Sequence, residues 1–337
     1  MTTLSSPLAH IKPHYTVVVI GSGYGGGIAA SRLARSGQQV CVLERGKELQ
    51  PGEYPDTLPK AMLEMQTDLP DKHLGSETGL FDLRVNDSIN VLVGCGLGGT
   101  SLINASVSLQ AEPRVFEDPC WPEQIRAEAA GGTQSLLQEG FRRAELMLNP
   151  VVYPDTEPRL DKMDAHRQSA AAMGEQYYRT PINVTFEDGT NHAGIEQKAC
   201  VHCGDCVSGC NYGSKNTTLM NYLPDAFNHG AEIYTEVSVS RVVKGENGWL
   251  VYYQPSGLGR EAFKGPDLFV RADIVVLAAG TLGTTEILLR SRDGGLSLSR
   301  RLGEDFTGNG DVLAFAYNND LSINGVGFGD KKPDERQ

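Results

Sequence analysis

The sequence predicts an α/β fold built on a doubly wound parallel sheet with a β-meander beside it. Three observations carry this prediction. A β-branched run, TVVVI at 16–20, is followed by a glycine-rich turn, a helix of small residues and a second apolar strand. A later run, ADIVVLAAG at 272–280, indicates another buried strand of the same sheet. Between them, IYTEVSVSRVV (233–243) and GWLVYYQ (248–254) have the composition of meander strands.

The first observation is a complete βαβ unit. Strand Thr16–Ile20 is followed by the turn GSGYGGG, and helix Ile28–Ser36 then leads to strand Gln38–Leu43. Gly37 is expected to end the helix as its C′ residue, because glycine adopts the left-handed conformation without strain. The unit spans about thirty residues, which is the length expected of a right-handed crossover between parallel strands.

Other segments have less regular patterns. Residues 47–88 are rich in Pro, Asp and Leu without a clean period, so an extended excursion is expected there. Residues 122–148 have a helical pattern, and a further helix is expected over Thr217–Phe227. The helix that follows the last buried strand is expected to be capped by Thr284 or Thr285.

Charge and cysteine usage exclude several classes of function. The 337 residues carry a formal net charge of −12, so no basic field exists to bind nucleic acid or anionic lipid. No signal peptide or integral membrane segment is apparent, because the first sixteen residues lack an apolar core and VVVIG is too short to span a bilayer. The seven cysteines do not form a secreted disulfide framework, so a cytoplasmic location is expected.

The glycine-rich turn matches a dinucleotide-binding fingerprint. Gly21, Gly23 and Gly26 form G-x-G-x-x-G between a strand and a helix, and Glu44 follows eighteen residues after the last glycine. The glycines allow a tight turn and close approach of a pyrophosphate, and the helix N-terminus attracts phosphate. Glu44 can accept hydrogen bonds from ribose hydroxyls, which disfavours NADP and leaves NAD and FAD open. The remaining cofactor residues predicted here are Tyr24, Gly25 and Arg45.

A second glycine-rich segment favours a flavin. The run VLVGCGLGGTSLINASVSL at 91–109 has a backbone that can lie flat against a ring system, with hydroxyl and amide side chains after it. It resembles the flavin-binding segment of the glucose–methanol–choline (GMC) oxidoreductases, whose pattern is G-x-G-G-[ST]-[ST]-x-x-N. The resemblance assigns the cofactor-binding residues Gly94, Gly98, Gly99, Thr100, Ser101 and Asn104, and it implies FAD as the cofactor.

A third segment supports the same family. The run ADIVVLAAGTLGTTEILLRS resembles the second signature of the GMC oxidoreductases, and together with LGEDFTGNGD it is similar to the cholesterol-oxidase branch. The resemblance extends over most of residues 14–317. It implies that the backbone of Val237 contacts the adenine and that Ala279 and Gly280 bind the cofactor. The implied substrate is a small-molecule alcohol, with a sterol as one candidate and O2 as a candidate electron acceptor.

A cysteine run lies between these segments. Cys200, Cys203, Cys206 and Cys210 have the C-x2-C-x2-C-x3-C spacing of an iron–sulfur loop. No second run supplies the partner cluster, and Asn211 stands where proline is usual. The GMC resemblance instead implies a compact structural corner, with Lys215 and Asn216 near the flavin or the substrate cavity and His202 at the surface. An iron–sulfur cluster or zinc bound by the four cysteines remains the alternative.

The resemblance also implies which parts are missing. The catalytic histidine and its asparagine or histidine partner belong to a C-terminal half that this chain lacks, and none of the seven histidines matches that motif. A strand expected at 311–317 would then lack its neighbours and leave an unpaired edge. Two other functions stay open: an electron-transfer flavoprotein module with an iron–sulfur or metal centre, and a non-catalytic FAD-binding remnant. The expected domains are a first part of the FAD-binding domain (14–125), a helical or lid insertion (126–198), a second part of the FAD-binding domain (199–310), and the truncated start of a substrate-binding α+β domain (311–337).

Overall fold

The computed structural model describes residues 2–132, 135–257 and 265–312, together with positions 314, 320 and 323. In these ranges the chain forms a six-stranded mixed sheet with helices on it, which confirms the predicted α/β class. The strand predicted at 311–317 lies mostly outside the described residues. Within the described ranges, every helix is too short or too polar to span a bilayer.

The described strands and helices follow one another along the whole chain. The strands are β1 (His14–Ile20), β2 (Val40–Leu43), β3 (Met65–Leu69), β4 (Lys72–Leu74), β5 (Phe81–Arg84), β6 (Val91–Gly94), β7 (Val151–Val152), β8 (Pro181–Ile182), β9 (Gly189–Thr190), β10 (Glu196–Gln197), β11 (Glu232–Tyr234), β12 (Val237–Lys244), β13 (Trp249–Pro255) and β14 (Leu268–Leu277). The helices are α1 (Tyr24–Arg35), α2 (Leu58–Leu63), α3 (Glu123–Ala130), α4 (Leu136–Leu148), α5 (Asp161–Met173), α6 (Tyr222–Asn228) and α7 (Gly280–Asp293).

The main sheet has the strand order β11-β2-β1-β14-β13-β12. Strands β11, β2, β1 and β14 are parallel, and β13 and β12 continue the sheet as an antiparallel meander. In the parallel part Ile20 is in register with both Leu43 and Leu277. The carboxyl ends of three strands therefore meet at one edge, where open α/β sheets bind their ligands.

Each face of this sheet buries its own core. Val17, Val19 and Val42 point to the face that α1 and α6 cover, and all three are fully buried there. Val18 and Cys41 alternate to the opposite face, where they pack with residues of the meander and α7. Because both faces are covered, these strands have continuous apolar runs instead of an alternating pattern.

Several predicted helix boundaries differ from the structure. Helix α1 begins at Tyr24 instead of Ile28, because the glycine run after Gly23 continues directly into the helix. Helix α7 begins at Gly280 without a side-chain cap, and Thr284 and Thr285 lie inside the helix. The prediction that one of these threonines caps the helix is therefore wrong. The helix predicted over Thr217–Phe227 is a short 3-10 turn followed by α6. The predicted helical pattern at 122–148 is confirmed as α3 and α4.

The single strand predicted at 233–243 is wrong, because two strands occupy this stretch. Strand β11 pairs in parallel with β2, and β12 pairs antiparallel with β13. Between them Glu236 adopts a φ of +57°, which turns the chain out of one pairing and into the other. Both strands are rich in β-branched residues, so composition alone does not show the break.

The extended excursion predicted at 47–88 also differs from the structure. This stretch contains α2 and the strands β3, β4 and β5, which join β6 in a four-stranded sheet of order β4-β3-β5-β6. Strand β5 buries the carboxylate of Asp82 with 0% exposure, so the segment lacks the apolar period that would have indicated a strand.

Strand β14 is only partly buried. It was predicted as a buried strand, and its parallel pairing with β1 confirms its place in the sheet. However, the side chain of Ile274 is 51% exposed. The strand is therefore buried at only some of its positions.

Candidate functional site

The first glycine motif lies where β1, β2 and β14 end. Gly21 follows β1 with a φ of +93°, and a Cβ there would overlap the backbone of Ala278. A Cβ at Gly26 would overlap the carbonyl oxygen of Gly21. Helix α1 therefore starts tightly against the sheet only because these positions are glycines. Gly23 precedes the helix without a side-chain cap, so the first N–H groups of α1 have no partner inside the helix.

Glu44 is fixed at the end of β2 by three hydrogen bonds. Its Oε2 accepts the Ser22 N–H over 3.0 Å and the Ser22 hydroxyl over 2.6 Å, and its Oε1 accepts the Gly46 N–H over 2.9 Å. Burial raises the pKa of the Glu44 carboxyl, and these hydrogen bonds oppose that effect. The acid is thus positioned beside the glycine turn. Ser22 was not predicted, although its place inside the motif could have indicated it.

The second glycine motif is tied to the first. The Gly98 N–H donates to the Ser22 hydroxyl over 2.9 Å, so Ser22 contacts both glycine loops. Within the second loop, the Ser101 hydroxyl donates to the Gly98 carbonyl over 2.6 Å, and Gly94 N–H donates to the Thr100 hydroxyl over 3.1 Å. These contacts hold the loop rigidly beside the N-terminus of α1.

Asn104 contacts the first motif through Tyr24. The Asn104 Nδ2 donates to the Tyr24 hydroxyl over 2.9 Å. Burial raises the pKa of Tyr24, and hydrogen bonds from the Asn104 and Asn183 amides partly offset this. Tyr24 is therefore a neutral phenol held by neighbouring amides.

These elements enclose a cavity of about 820 Å³. Most of the predicted cofactor residues line it: Gly21, Gly23, Tyr24, Gly25, Glu44, Arg45, Gly94, Gly99, Thr100, Val237, Ala279 and Gly280. Four others are not among its lining residues and instead support that lining: Gly26, Gly98, Ser101 and Asn104. The N–H of Val237 already donates to the Glu44 carbonyl over 2.9 Å.

The predicted Arg45 belongs to a group of charged residues at the cavity whose other members were not predicted. The carboxylate of Asp82 is buried between Arg45 and Arg84. Arg84 on β5 also donates to Glu286 on α7 over 3.0 Å, which connects the small sheet to the opposite wall of the cavity. Arg45 and Asp82 come from segments 37 residues apart, so no local spacing in the sequence could have indicated this group.

The cysteine run forms a compact loop whose thiols are free. Burial raises the pKa of Cys200 to about 12 and that of Cys203 to about 11, so both sulfurs stay protonated at neutral pH. Within the described ranges, no three His, Cys, Asp or Glu side chains are grouped so that they could hold a metal ion. The four cysteines therefore do not present a formed metal site.

Asn211 and His202 anchor this loop. Asn211 accepts the N–H groups of Gly52 and Tyr54 over 3.0 and 2.9 Å, and it donates to the Tyr54 carbonyl over 3.0 Å. The ring of His202 lies 2.8 Å from a Glu157 oxygen, and its side chain is only 9% exposed. The surface position predicted for His202 is therefore wrong. The polar contact with Glu157 and packing against Phe186 hold the ring inside.

Lys215 connects the cysteine loop to the second glycine motif. Its ammonium donates to the carbonyl oxygens of Leu102, Asn104 and Cys206 over 3.0, 2.7 and 2.8 Å. Burial lowers the pKa of Lys215 to about 8. Lys215 and Asn216 are not among the residues that line the large cavity, so Lys215 supports the predicted flavin segment from behind.

Comparison with known proteins shows the family to which this chain is similar. The family model described as GMC oxidoreductase matches residues 20–307. A cholesterol oxidase of Mycobacterium tuberculosis is 31% identical over 315 residues, which are 87% of this chain and 51% of that protein. A cholesterol oxidase of Acinetobacter baumannii is 27% identical over 303 residues, or 83% of this chain and 51% of that protein. A long-chain-alcohol oxidase of Arabidopsis thaliana is 28% identical over 284 residues, or 81% of this chain and 34% of that protein. The chain thus spans about half the length of the two cholesterol oxidases.

Proposed function

Because the chain belongs to the GMC oxidoreductase family, we propose that it binds FAD and forms the cofactor-binding part of an oxidoreductase acting on the CH–OH group of an alcohol. One observation carries this proposal. A single cavity of about 820 Å³ contains the G-x-G-x-x-G turn, the buried acid Glu44 and the second glycine motif. A dinucleotide requires these features together, because it presents phosphates, a ribose and a flat ring system along one molecule.

The residues that line the cavity fit FAD. The free N–H groups at the start of α1 would receive the pyrophosphate, since they carry the positive end of the helix dipole. Glu44 has a carboxylate that Ser22 and Gly46 already fix in place, and it would accept the ribose hydroxyls. Thr100 and the glycines before it would line the flavin.

When bound, the flavin would accept a hydride from the carbinol carbon of the alcohol. The chain's own residues would position the flavin and keep water away from the buried parts of the cavity. Tyr24 would present a neutral hydroxyl there, held by the Asn104 amide. No described residue is assigned as the base that removes the alcohol proton.

We propose a sterol or a long-chain alcohol as the substrate and O2 as the electron acceptor. The support is that the similar proteins are named cholesterol oxidases and a long-chain-alcohol oxidase. We also propose that the base, a histidine with an asparagine or histidine partner, comes from polypeptide beyond this chain. The partial coverage of those relatives supports this. The domain limits at residues 125, 198 and 310 are proposed with it.

The proposal is tested by incubating the purified chain with FAD, desalting it and recording its spectrum. Retained bands at about 375 and 450 nm would support FAD binding. Cholesterol or a long-chain alcohol is then added without oxygen, and flavin reduction is followed at the longer wavelength. We expect no reduction by this chain alone. Reduction, or peroxide formation in air, would contradict the proposal that the base lies elsewhere.

A further inference from the structure

Ser256 carries a buried hydroxyl that is unused in the protein. It follows directly after β13, is only 7% exposed, and belongs to the lining of the large cavity. Its Oγ has no hydrogen-bond partner among the described residues. A buried polar group without a partner is unfavourable for folding, so a hydroxyl kept at a cavity wall indicates a ligand that pairs with it.

The position of Ser256 places it at the end of the cavity where Glu44 lies. The Ser256 N–H donates to the carbonyl of Glu236 over 2.8 Å, across the first pair of the meander. The next residue, Val237, donates its N–H to the carbonyl of Glu44 over 2.9 Å. Ser256 is therefore hydrogen-bonded to Glu236, and the chain neighbour of Glu236 is hydrogen-bonded to Glu44.

The wall that β12, β13 and α7 form carries both apolar and hydroxyl side chains. Val239 and Ile287 line the cavity and are 8% and 4% exposed, and two serines of β12 line it as well. The nearby Gln254 does not compete for a ligand with its amide nitrogen, because Nε2 donates to Asp267 over 2.7 Å. The wall therefore combines apolar side chains with the hydroxyl of Ser256, which has no partner among the described residues.

We propose that Ser256 binds the adenine base of the cofactor and contributes to selection of FAD over flavins that lack adenine. This inference rests on the proposed function. A hydroxyl both donates and accepts, and the edge of adenine offers ring nitrogens as acceptors beside an amino donor. Ribose and pyrophosphate have other partners here, in Glu44 and in the N-terminus of α1. The apolar side chains of this wall can pack against the base, which is the part of the adenosine half that remains.

The test compares wild type with Ser256→Ala and Ser256→Thr, by calorimetric titration with FAD, ADP and FMN. The alanine variant should bind both FAD and ADP about tenfold more weakly, because one buried hydrogen bond is lost. FMN has no adenine, so its affinity should not change. The threonine variant keeps a hydroxyl and should recover most of the affinity.

Thermal unfolding without ligand gives a second readout. The alanine substitution removes an unpaired buried hydroxyl, so the melting temperature of the free protein should stay the same or rise. A lower melting temperature of the free alanine variant would overturn the inference, since it would show that the hydroxyl is already paired. Wild-type affinity of that variant for FAD and ADP would also overturn it, while the proposed function would stand. If the wild type itself bound neither FAD nor ADP, the proposed function would fail and this inference with it.

Discussion

Ser22 and Glu44 form a double hydrogen bond in which both the N–H and the hydroxyl of Ser22 donate to the same carboxylate oxygen, over 3.0 and 2.6 Å. The same hydroxyl accepts the Gly98 N–H over 2.9 Å. The glycine turn, the acid and the second glycine motif are therefore connected through one serine. This arrangement preorganises the cavity, because the ligand does not have to order these loops itself.

The Ser22→Ala variant should be destabilised by about 2 kcal/mol, since Glu44 loses a charge-assisted bond and the Gly98 N–H loses its acceptor. Urea unfolding of the ligand-free protein measures this. Ser169→Ala is the matched control, because Ser169 is exposed and its hydroxyl donates to the Ala165 carbonyl of its own helix. The control should change stability by less than about 0.5 kcal/mol. Equal effects of the two substitutions would contradict the role given to Ser22.

Two neighbouring glycines of α1 should respond in opposite ways to alanine. A Cβ at Gly26 would overlap the Gly21 carbonyl, whereas a Cβ at Gly25 would meet its nearest atom, the Ala278 Cβ, at 3.9 Å. We expect Gly26→Ala to lose at least about 3 kcal/mol of stability or to fail to fold. Gly25→Ala should fold normally and gain up to about 1 kcal/mol, because alanine favours the helix. Circular dichroism and urea unfolding distinguish the two variants. A stable Gly26→Ala protein would refute the close packing of α1 against the carbonyl of Gly21.

Lys215 should make stability depend on alkaline pH. Its pKa in the folded protein is lowered from 10.5 to about 8 by burial. Between these values the unfolded chain holds a proton that the folded chain has released, so folding stability should rise with pH from about 8 to 10. Below pH 8 both states are protonated, and this contribution is constant.

The comparison with Lys215→Met isolates this effect, because that variant has no titrating group at position 215. The stability of wild type relative to the variant should increase over this window by on the order of 1–3 kcal/mol, measured by urea unfolding at each pH. Parallel pH profiles for the two proteins would show that Lys215 keeps an ordinary pKa.

Two thiols of the cysteine loop, Cys200 and Cys203, should behave as protonated thiols. In denaturant, a thiol reagent should titrate all seven cysteines. In the folded protein exposed Cys120 should react first, and Cys200 and Cys203 should react slowly because burial limits access to them and raises their pKa values. Elemental analysis should find iron and zinc well below one per chain. A stoichiometric metal that is released only on unfolding would instead establish the cysteine run as a metal site.

The parts of the fold that were predicted correctly, and the residues that the structure brings together at the cavity, depend on short-range patterns. Gly21, Gly26 and Glu44 lie within one βαβ unit, so their spacing alone indicates a turn, a helix start and an acid at a strand end. The second motif is similarly local, since Gly94 and Asn104 belong to one continuous segment.

The parts that were missed depend on contacts between distant segments. The bond from Gly98 to Ser22 joins residues 76 apart, and the bond from Arg84 to Glu286 joins residues 202 apart. Strand β5 was missed because it buries a charged side chain in place of an apolar one. The break at Glu236 was missed because a left-handed residue between two β-branched strands leaves no compositional signal.

Calorimetric titration of the ligand-free chain with FAD and with FMN tests most directly whether this cavity is an FAD site. We expect one FAD to bind per chain and FMN to bind distinctly more weakly, because Glu44 and its end of the cavity suit the adenosine half of the cofactor. Absence of FAD binding by the folded chain, or equal affinity for FAD and FMN, would contradict this expectation.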